Sequence, residues 1–90
     1  MPFYLYLLRL SDGSLYCGIT NDVERRLKEH KNGYGSKYVK GRLPLDLVYL
    51  EEHDTRREAM RREEEVKSFS KYRKEELVED WDESELEFSF

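Results

Sequence analysis

One arginine stands at a position where helical spacing places the inner face of a helix. Val23, Leu27 and His30 recur at spacings of four and three residues, and Arg26 falls within the same stripe. An arginine directed at a protein interior is costly to bury unless it is paired or lines an open site. The alternative is an arginine whose stem packs while its guanidinium stays in water. The spacing leaves both interpretations open.

A glutamate interrupts the inner face of a later helix in the same way. Glu63 lies between Ala59 and Val66, which mark that face. An inward carboxylate suits a hard divalent ion such as Mg²⁺, which takes oxygen ligands. The alternative is an internal ion pair, with Arg26 as the partner. The pattern does not decide between a metal ligand and an ion pair.

Two tyrosine hydroxyls complete the set of chemically capable groups. Tyr6 and Tyr16 stand ten positions apart in two predicted strands, and alternation puts Tyr16 on the same face as Gly18. A glycine inside a strand often marks a close approach of another group to the backbone. A strand tyrosine is commonly a packing residue, and the sequence does not fix the hairpin register that would bring the two hydroxyls together.

The elements that would position these side chains follow from turn signals and periodicity. Their predicted order is β-β-α-β-α-α, with strands over 3–10, 15–19 and 45–52 and helices over 22–31, 55–69 and 71–78. Asp12 and Gly13 give the turn signal of a hairpin. Asn21 and Thr55 are predicted to cap the two longer helices, each with a glutamate three residues on. The Gly-rich basic segment 33–44 is predicted to be a loop.

These elements define an α+β fold, a three-stranded antiparallel sheet flanked by helices. Strict alternation in the third strand places Tyr49 on the face of Leu45 and Leu47, opposite Leu50. Ninety residues suffice for one small domain. We expect that domain to cover residues 1–78 and an acidic C-terminal tail to cover 79–90.

Charge is distributed unevenly along the chain. Residues 1–74 hold all sixteen Lys and Arg beside twelve Asp and Glu, whereas 75–90 hold eight acids and no base. Within 25–42 there are seven bases and one acid. A basic patch of this kind indicates a nucleic-acid partner, and a solvated surface is the alternative.

Cysteine content and hydropathy limit the class of protein. Cys17 is the single cysteine, so an intrachain disulfide and a multi-cysteine metal site are excluded. No run approaches the roughly 20 apolar residues of a membrane span, and the N-terminus lacks the pattern of a signal peptide. A cytoplasmic protein is the expectation. His53 is interpreted as a surface residue.

Taken together, these residues resemble the GIY-YIG nuclease superfamily. The likeness covers roughly residues 3–75 and is carried by Tyr4-Leu5-Tyr6, Tyr16-Cys17-Gly18 and the helix sequence 19–27. Segment 37–44 is similar to the basic loop of small stand-alone members and of structure-selective eukaryotic relatives. The chain also looks like the N-terminal domain of excision-repair nucleases. Tyr4 replaces the glycine of the first motif and Cys17 replaces an aliphatic residue of the second.

The resemblance implies a catalytic site for phosphodiester hydrolysis made of Tyr6, Tyr16, Arg26 and Glu63. Glu63 would hold one divalent ion, Mg²⁺ or Mn²⁺, which stabilises charge on the phosphate and the leaving oxygen. Arg26 would clamp the phosphate as a bidentate fork. Tyr6 would be the general base, with its phenolate favoured by Arg26 and the metal, and Tyr16 would orient water or phosphate. His30 would line the same cleft, or pack at the helix end.

The basic segment is predicted to bind the nucleic-acid backbone through Lys37, Tyr38, Lys40 and Arg42, a contact that ignores sequence and weakens with salt. Tyr34 and Tyr38 are candidates to stack on unpaired bases, with packing as the alternative for Tyr38. Nothing resembles a base-reading device, so branched, flap or nicked DNA is the expected target.

The function expected from the resemblance is a metal-dependent DNA endonuclease, directed by structure and linked to repair or recombination. Its activity on its own is expected to be weak or dependent on a partner. One alternative is a non-catalytic nucleic-acid-binding module of the same fold. Another is a protein-interaction module that acts through the acidic tail with Trp81, Leu86, Phe88 and Phe90. The tail is also a candidate decoy that covers the basic patch.

Overall fold

Strands and helices follow one another in the predicted order. The computed structural model describes residues 1–82, and its elements are β1 (Phe3–Leu10), β2 (Leu15–Thr20), α1 (Val23–Lys31), α2 (Lys37–Lys40), β3 (Leu45–His53), α3 (Arg56–Lys67) and α4 (Lys71–Asp80). The α+β class and the β-β-α-β-α-α order are confirmed. The short helix α2 is additional, because it lies inside the segment predicted to be a loop. Within residues 1–82, no helix is long and apolar enough to cross a membrane.

The sheet is antiparallel, with strand order β2-β1-β3. The hairpin turn is fixed by Asp12, whose Oδ1 accepts hydrogen bonds from the backbone N and the hydroxyl of Ser14, and by Gly13 at φ 84°. The resulting register sets Tyr6 opposite Gly18 and Leu8 opposite Tyr16. Both tyrosines therefore lie on one face of the sheet, at diagonal positions.

A bulge in β3 changes the faces that its side chains occupy. Leu7 pairs with Tyr49 and Leu8 with Leu47, so Val48 has no partner on β1. Tyr49 consequently packs on the side of Leu7, whereas Leu50 packs on the side of Leu47. The predicted strict alternation is wrong from this point onward, since one extra residue reverses the pattern.

Helices cover both faces of the sheet. One face carries the core cluster built from β1 and from α1, α2 and β3, whose buried members are Tyr6, Leu8, Leu10, Val23, Leu27, Val39 and Leu45. The other face packs against α3 and α4, with a buried cluster of Leu5, Leu7, Cys17 and Val66. Since α1 and α3 approach from opposite sides, Arg26 and Glu63 belong to different layers of the fold.

The helix caps differ in one case from the prediction. Asp22, not Asn21, caps α1, and its Oδ1 accepts from the backbone N of Arg25 at 3.1 Å. The prediction of Asn21 is wrong by one residue, because both side chains are competent caps and adjacent in sequence. Thr55 caps α3 as predicted, accepting from the backbone N of Glu58 at 3.2 Å.

A single buried side chain anchors α2. Ser36 caps this turn with its Oγ, and Val39 is fully buried. Gly33 and Gly35 precede it at φ 83° and 100°, a region that favours glycine. The prediction of a loop over 33–44 is wrong for these four helical residues. One cap and one apolar residue in a basic stretch give no detectable period.

An ion pair docks α4 onto the sheet. Arg9 of β1 donates to both carboxylate oxygens of Glu75, at 2.5 and 2.6 Å. The helix continues to Asp80, two residues past the predicted boundary at 78. Among the predicted docking residues of the tail, Trp81 is half-buried, and three lie outside the described residues: Leu86, Phe88 and Phe90.

Candidate active site

The ring of Tyr6 lies across the bare backbone of Gly18. A Cβ at Gly18 would sit 2.4 Å from the Tyr6 Oη and 2.6 Å from its Cζ, distances that real Cβ atoms do not reach. The close approach predicted at Gly18 is therefore confirmed. Tyr6 is 1% exposed, so its hydroxyl lies in the interior of the sheet face.

The hydroxyl of Tyr6 is hydrogen-bonded to His30. Tyr6 Oη and His30 Nε2 are 2.9 Å apart, and His30 is fully buried in the last turn of α1. The Nδ1 of His30 has no hydrogen-bond partner among the described residues. His30 therefore packs at the helix end, and it also belongs to the polar group around Tyr6.

Burial controls the protonation of this pair. It raises the pKa of Tyr6 to about 12, while the nearby guanidinium of Arg26 acts in the opposite direction and is the smaller effect. Burial also lowers the pKa of His30, and the positive charge of Arg26 adds to that shift. Both groups are neutral near pH 7. We infer that the phenol, as the stronger acid of the pair, donates to Nε2, which would leave the imidazole proton on Nδ1.

Tyr16 joins the same group through ring contacts. Its ring centroid lies 5.5 Å from that of His30 and 6.5 Å from that of Tyr6. The ring of Tyr38 in α2 stacks on that of Tyr16, with the two centroids 6.4 Å apart. The guanidinium of Arg42 lies 3.7 Å from the Tyr38 ring centroid. These contacts form a continuous row of rings from the interior to the surface of the basic segment.

Arg26 is half-buried beside this row. Its Nη1 is 3.5 Å from Glu29 Oε1, and 29% of its side chain is exposed. A Cβ at Gly35 would come within 2.9 Å of the same Nη1, so the guanidinium rests against glycine backbone. Arg26 also lines an open cleft of about 420 Å³. Both interpretations of Arg26 hold in part. Its stem packs, and its guanidinium faces an open site.

Glu63 does not contact that group. Its side chain is 21% exposed and its carboxylate lies 3.4 Å from Lys67 Nζ, on the α3 side of the sheet with Cys17. Burial raises the pKa of the Cys17 thiol to about 12, and the charge of Glu63 contributes to that rise. The proposed ion pair with Arg26 is not formed, because each residue has a different partner.

The donor set limits the kind of metal that this chain can hold. Among residues 1–82, no group of three or more His, Cys, Asp or Glu side chains could hold an ion. Glu63 offers one carboxylate, whose salt-bridge partner among residues 1–82 is the exposed Lys67. Such a ligand fits Mg²⁺, which keeps several waters and takes further oxygens from substrate phosphates.

The basic segment presents fewer free charges than its sequence indicates. Arg42 donates to Asp12 Oδ2 at 3.0 Å and covers the Tyr38 ring, so it is already engaged. Lys37 and Lys40 are exposed and have no salt bridge within residues 1–82. Tyr34, between two glycines, is 70% exposed.

Two neighbours of Arg26 were not predicted as residues of the site. Glu29 lies one helical turn further along α1, and Gly35 follows Gly33 in the turn before α2. The i,i+3 spacing was a usable signal for Glu29. Nothing in the sequence indicated that Gly35 would meet a residue nine positions earlier.

Comparison with known proteins defines the class to which this fold and site belong. Residues 2–76 match the family described as the GIY-YIG catalytic domain. The chain therefore belongs to the GIY-YIG family, and the resemblance found in the sequence is confirmed.

Within that family the chain is similar to proteins named UPF0213. It is 49% identical over 77 residues to one from Haloquadratum walsbyi, covering 86% of each chain. It is 48% identical over 75 residues to one from Staphylococcus saprophyticus, covering 83% of this chain and 92% of the relative. These names state no activity.

Solved structures agree with the fold. The solution NMR structure of a UPF0213 protein from Bacillus halodurans matches with a TM-score of 0.58 and 48% identity, covering 88% of this chain and 84% of that chain. A solution NMR structure of a protein from E. faecalis matches with a TM-score of 0.63 and 38% identity, with the same coverage.

Proposed function

We propose that this protein is a metal-dependent endonuclease that hydrolyses phosphodiester bonds in DNA. The observation that carries the proposal is the hydrogen bond of 2.9 Å between Tyr6 Oη and His30 Nε2, beside the guanidinium of Arg26. In a family of catalytic domains, a buried proton acceptor and a phosphate-binding fork in contact are the parts that hydrolysis needs.

A proton relay removes the need for a free phenolate. With a pKa raised to about 12, Tyr6 is protonated at neutral pH. The attacking water would lie between the Tyr6 hydroxyl and the phosphate that Arg26 binds. That water gives a proton to Tyr6 Oη, and Tyr6 gives its own proton to His30 Nε2. The lowered pKa keeps His30 neutral beforehand, so Nε2 is free to accept.

The remaining residues hold this geometry. The Tyr16 ring packs edge-on against His30 and fixes the plane of the imidazole. Glu63 would hold the divalent ion, Mg²⁺ or Mn²⁺, which supplies charge stabilisation at the phosphate and the leaving oxygen. Arg26 binds the phosphate oxygens through its fork.

The substrate is DNA with unpaired or branched features. Lys37 and Lys40 offer charge to the backbone, and exposed Tyr34 offers a ring to an unpaired base. Phosphate contacts of this kind carry no sequence preference. A role in repair or recombination and a cytoplasmic location belong to this proposal. So do a domain over 1–78 and an acidic tail over 79–90, whose first two residues complete α4.

A nicking assay on flap, branched, nicked and plain duplex DNA tests the proposal. With Mg²⁺ or Mn²⁺ we expect cutting near the junction, lost in Tyr6→Phe and in Glu63→Gln but kept in Glu64→Gln. Glu64 is the matched control, an exposed carboxylate next in sequence on α3. Glu63→Gln should still bind DNA. Cutting that survives both Tyr6→Phe and Glu63→Gln would overturn the assignment.

One observation favours a second candidate, a nucleic-acid-binding module without catalysis. Glu63 has no contact with the tyrosine group and is paired with Lys67 on the other face of the sheet. The same assay separates the two functions. Binding to the four DNA substrates with no cutting under either metal would select the binding module.

A further inference from the structure

An arginine-lined cleft lies beside the candidate active site, at the end of the edge strand β2. It measures about 420 Å³, and Arg25 and Arg26 of α1 line it together with Arg56 of α3. Phe3 and Ile19 give it an apolar floor. Two helices that cover opposite faces of the sheet therefore meet at this cleft.

The charge in the cleft is poorly compensated. Glu29 is the one carboxylate among its lining residues, and it is already 3.5 Å from Arg26. Arg25 reaches the amide oxygen of Asn21 at 3.5 Å, and it forms no salt bridge within residues 1–82. Arg56 is exposed and has no ion pair in the same part of the chain. Guanidinium groups placed together without carboxylates create a positive potential that favours an anion.

Arg26 connects this cleft to the tyrosine group. Its guanidinium is close enough to Tyr6 to affect the pKa of that phenol, and it also lines the cleft. A phosphate bound to Arg26 therefore has a second cationic position directly beside it. A nucleic-acid strand supplies a phosphate at each nucleotide, about 3.4 Å of helix axis apart.

We propose that Arg25 and Arg56 form a second phosphate subsite, which binds a backbone phosphodiester of the strand beside the one at Arg26. This inference rests on the proposed function, because it takes Arg26 as the clamp on the phosphate to be cut. The apolar floor of Phe3 and Ile19 receives the sugar between the two phosphates. The strand then runs from the basic segment, past the tyrosines, to the start of α3.

Matched double variants test the subsite without any cutting. In Arg25→Gln/Arg56→Gln two positive charges of the cleft are removed. In Arg57→Gln/Arg61→Gln two are removed from exposed positions of α3 that do not line it. Fluorescence anisotropy with a labelled flap DNA in EDTA, over a series of salt concentrations, gives the affinity and its salt dependence.

We expect the cleft variant to bind at least tenfold more weakly than the control variant. Its slope of log K against log salt should be smaller by about 1, the value for one lost phosphate contact. Equal losses in the two variants would overturn the subsite, as would an absence of DNA binding by the wild-type protein.

DNA in which single phosphates are replaced by an uncharged linkage locates the phosphate that the cleft binds. One phosphate at a time in the DNA strand is replaced by an uncharged methylphosphonate, and the affinity of each DNA is measured. We expect a position one or two nucleotides from the cut or junction where the replacement weakens wild-type binding but not binding by Arg25→Gln/Arg56→Gln. If every replacement affects both proteins equally, the proposal fails. Since no metal is present, this result is independent of whether the protein cuts.

Discussion

At the scale of single residues, the contact between Tyr6 and Gly18 determines whether the candidate site can form. Any side chain at Gly18 would occupy the volume of the Tyr6 ring. The ring is confined on this face, because Tyr6 is 1% exposed and its hydroxyl is bound to His30. Gly18 is thus a requirement of the site, although it has no reactive group.

The variant Gly18→Ala tests this requirement. The new Cβ displaces the ring and breaks the hydrogen bond to His30, so we expect a loss of stability of about 1–3 kcal/mol, typical of overpacking. Urea unfolding measures it. Gly41→Ala is the matched control, since a Cβ there meets its nearest atom, the Lys37 carbonyl oxygen, at 3.6 Å. An unchanged urea midpoint for Gly18→Ala would contradict the geometry.

His30 gives stability a dependence on pH that can be assigned. Its pKa in the folded protein is lowered, first by burial and then by Arg26, below the ordinary value of 6.5. Below that value the unfolded chain binds a proton that the folded protein does not, so stability falls as the pH drops from about 6.5. Between pH 7.5 and 5, we expect the unfolding free energy of the wild type to fall. In His30→Gln the fall over the same range should be smaller. A pH profile with the same slope in both proteins would show that His30 is not the group responsible.

At the scale of elements, a polar cluster ties α3 to β3 on the face away from the tyrosines. Glu51 accepts hydrogen bonds from Tyr49 and from Arg62, and lies 2.5 Å from His53 Nε2. His53, interpreted as a surface residue, is half-buried: 22% of its side chain is exposed, and it is bound to Glu51. The β-bulge makes the cluster, because it places Tyr49 and Glu51 on the same side as α3.

The variant Glu51→Gln tests this tie. Burial acts to raise the pKa of Glu51, but the hydrogen bonds from Tyr49, His53 and Arg62 outweigh it and the net shift is downward. Its contribution to stability is therefore present above the unfolded value of about 4.5 and is lost as the pH falls through the lower folded value. We expect a loss of about 1–3 kcal/mol at pH 7, shrinking below pH 4.5, by thermal or urea unfolding. Glu64→Gln is the control, because Glu64 is an exposed carboxylate of α3 outside this cluster, and it should change stability little.

At the scale of the whole molecule, the position of α4 limits where the acidic C-terminus can be truncated. Cutting the chain after Lys74 would remove most of α4, together with the Glu75 that anchors it to Arg9. The decoy hypothesis is better tested by ending the chain after Asp82, which removes Glu83, Glu85 and Glu87 and changes the net charge from −4 to −1.

For the chain ending at Asp82 we expect tighter DNA binding at low salt, by about two- to fivefold, and convergence with the full chain at high salt as screening increases. Anisotropy at two salt concentrations measures both. A substitution of the three glutamates by glutamine in the full-length chain separates charge from length. Unchanged affinity in both variants would remove the tail from any role in DNA binding.

Much of this architecture could be predicted because its signals are local. The Asp12–Gly13 turn and the cap at Thr55 depend on residues a few positions apart. The face on which each helix packs could not be predicted in the same way. Strand β1 is apolar on both sides, so periodicity identified the inner faces of α1 and α3 without assigning either to a side of the sheet. That is why the sequence did not show that Arg26 and Glu63 lie in different layers.

The strand order β2-β1-β3 has a consequence for synthesis of the chain. Strand β1 is made first but lies in the centre, and its second neighbour is complete only when His53 has been translated. Until then one edge of β1, with its buried leucines, has no backbone partner. A nascent chain that stops before β3 therefore lacks one of the two strands that flank Tyr6, and the candidate site can be complete only after most of the domain has left the ribosome.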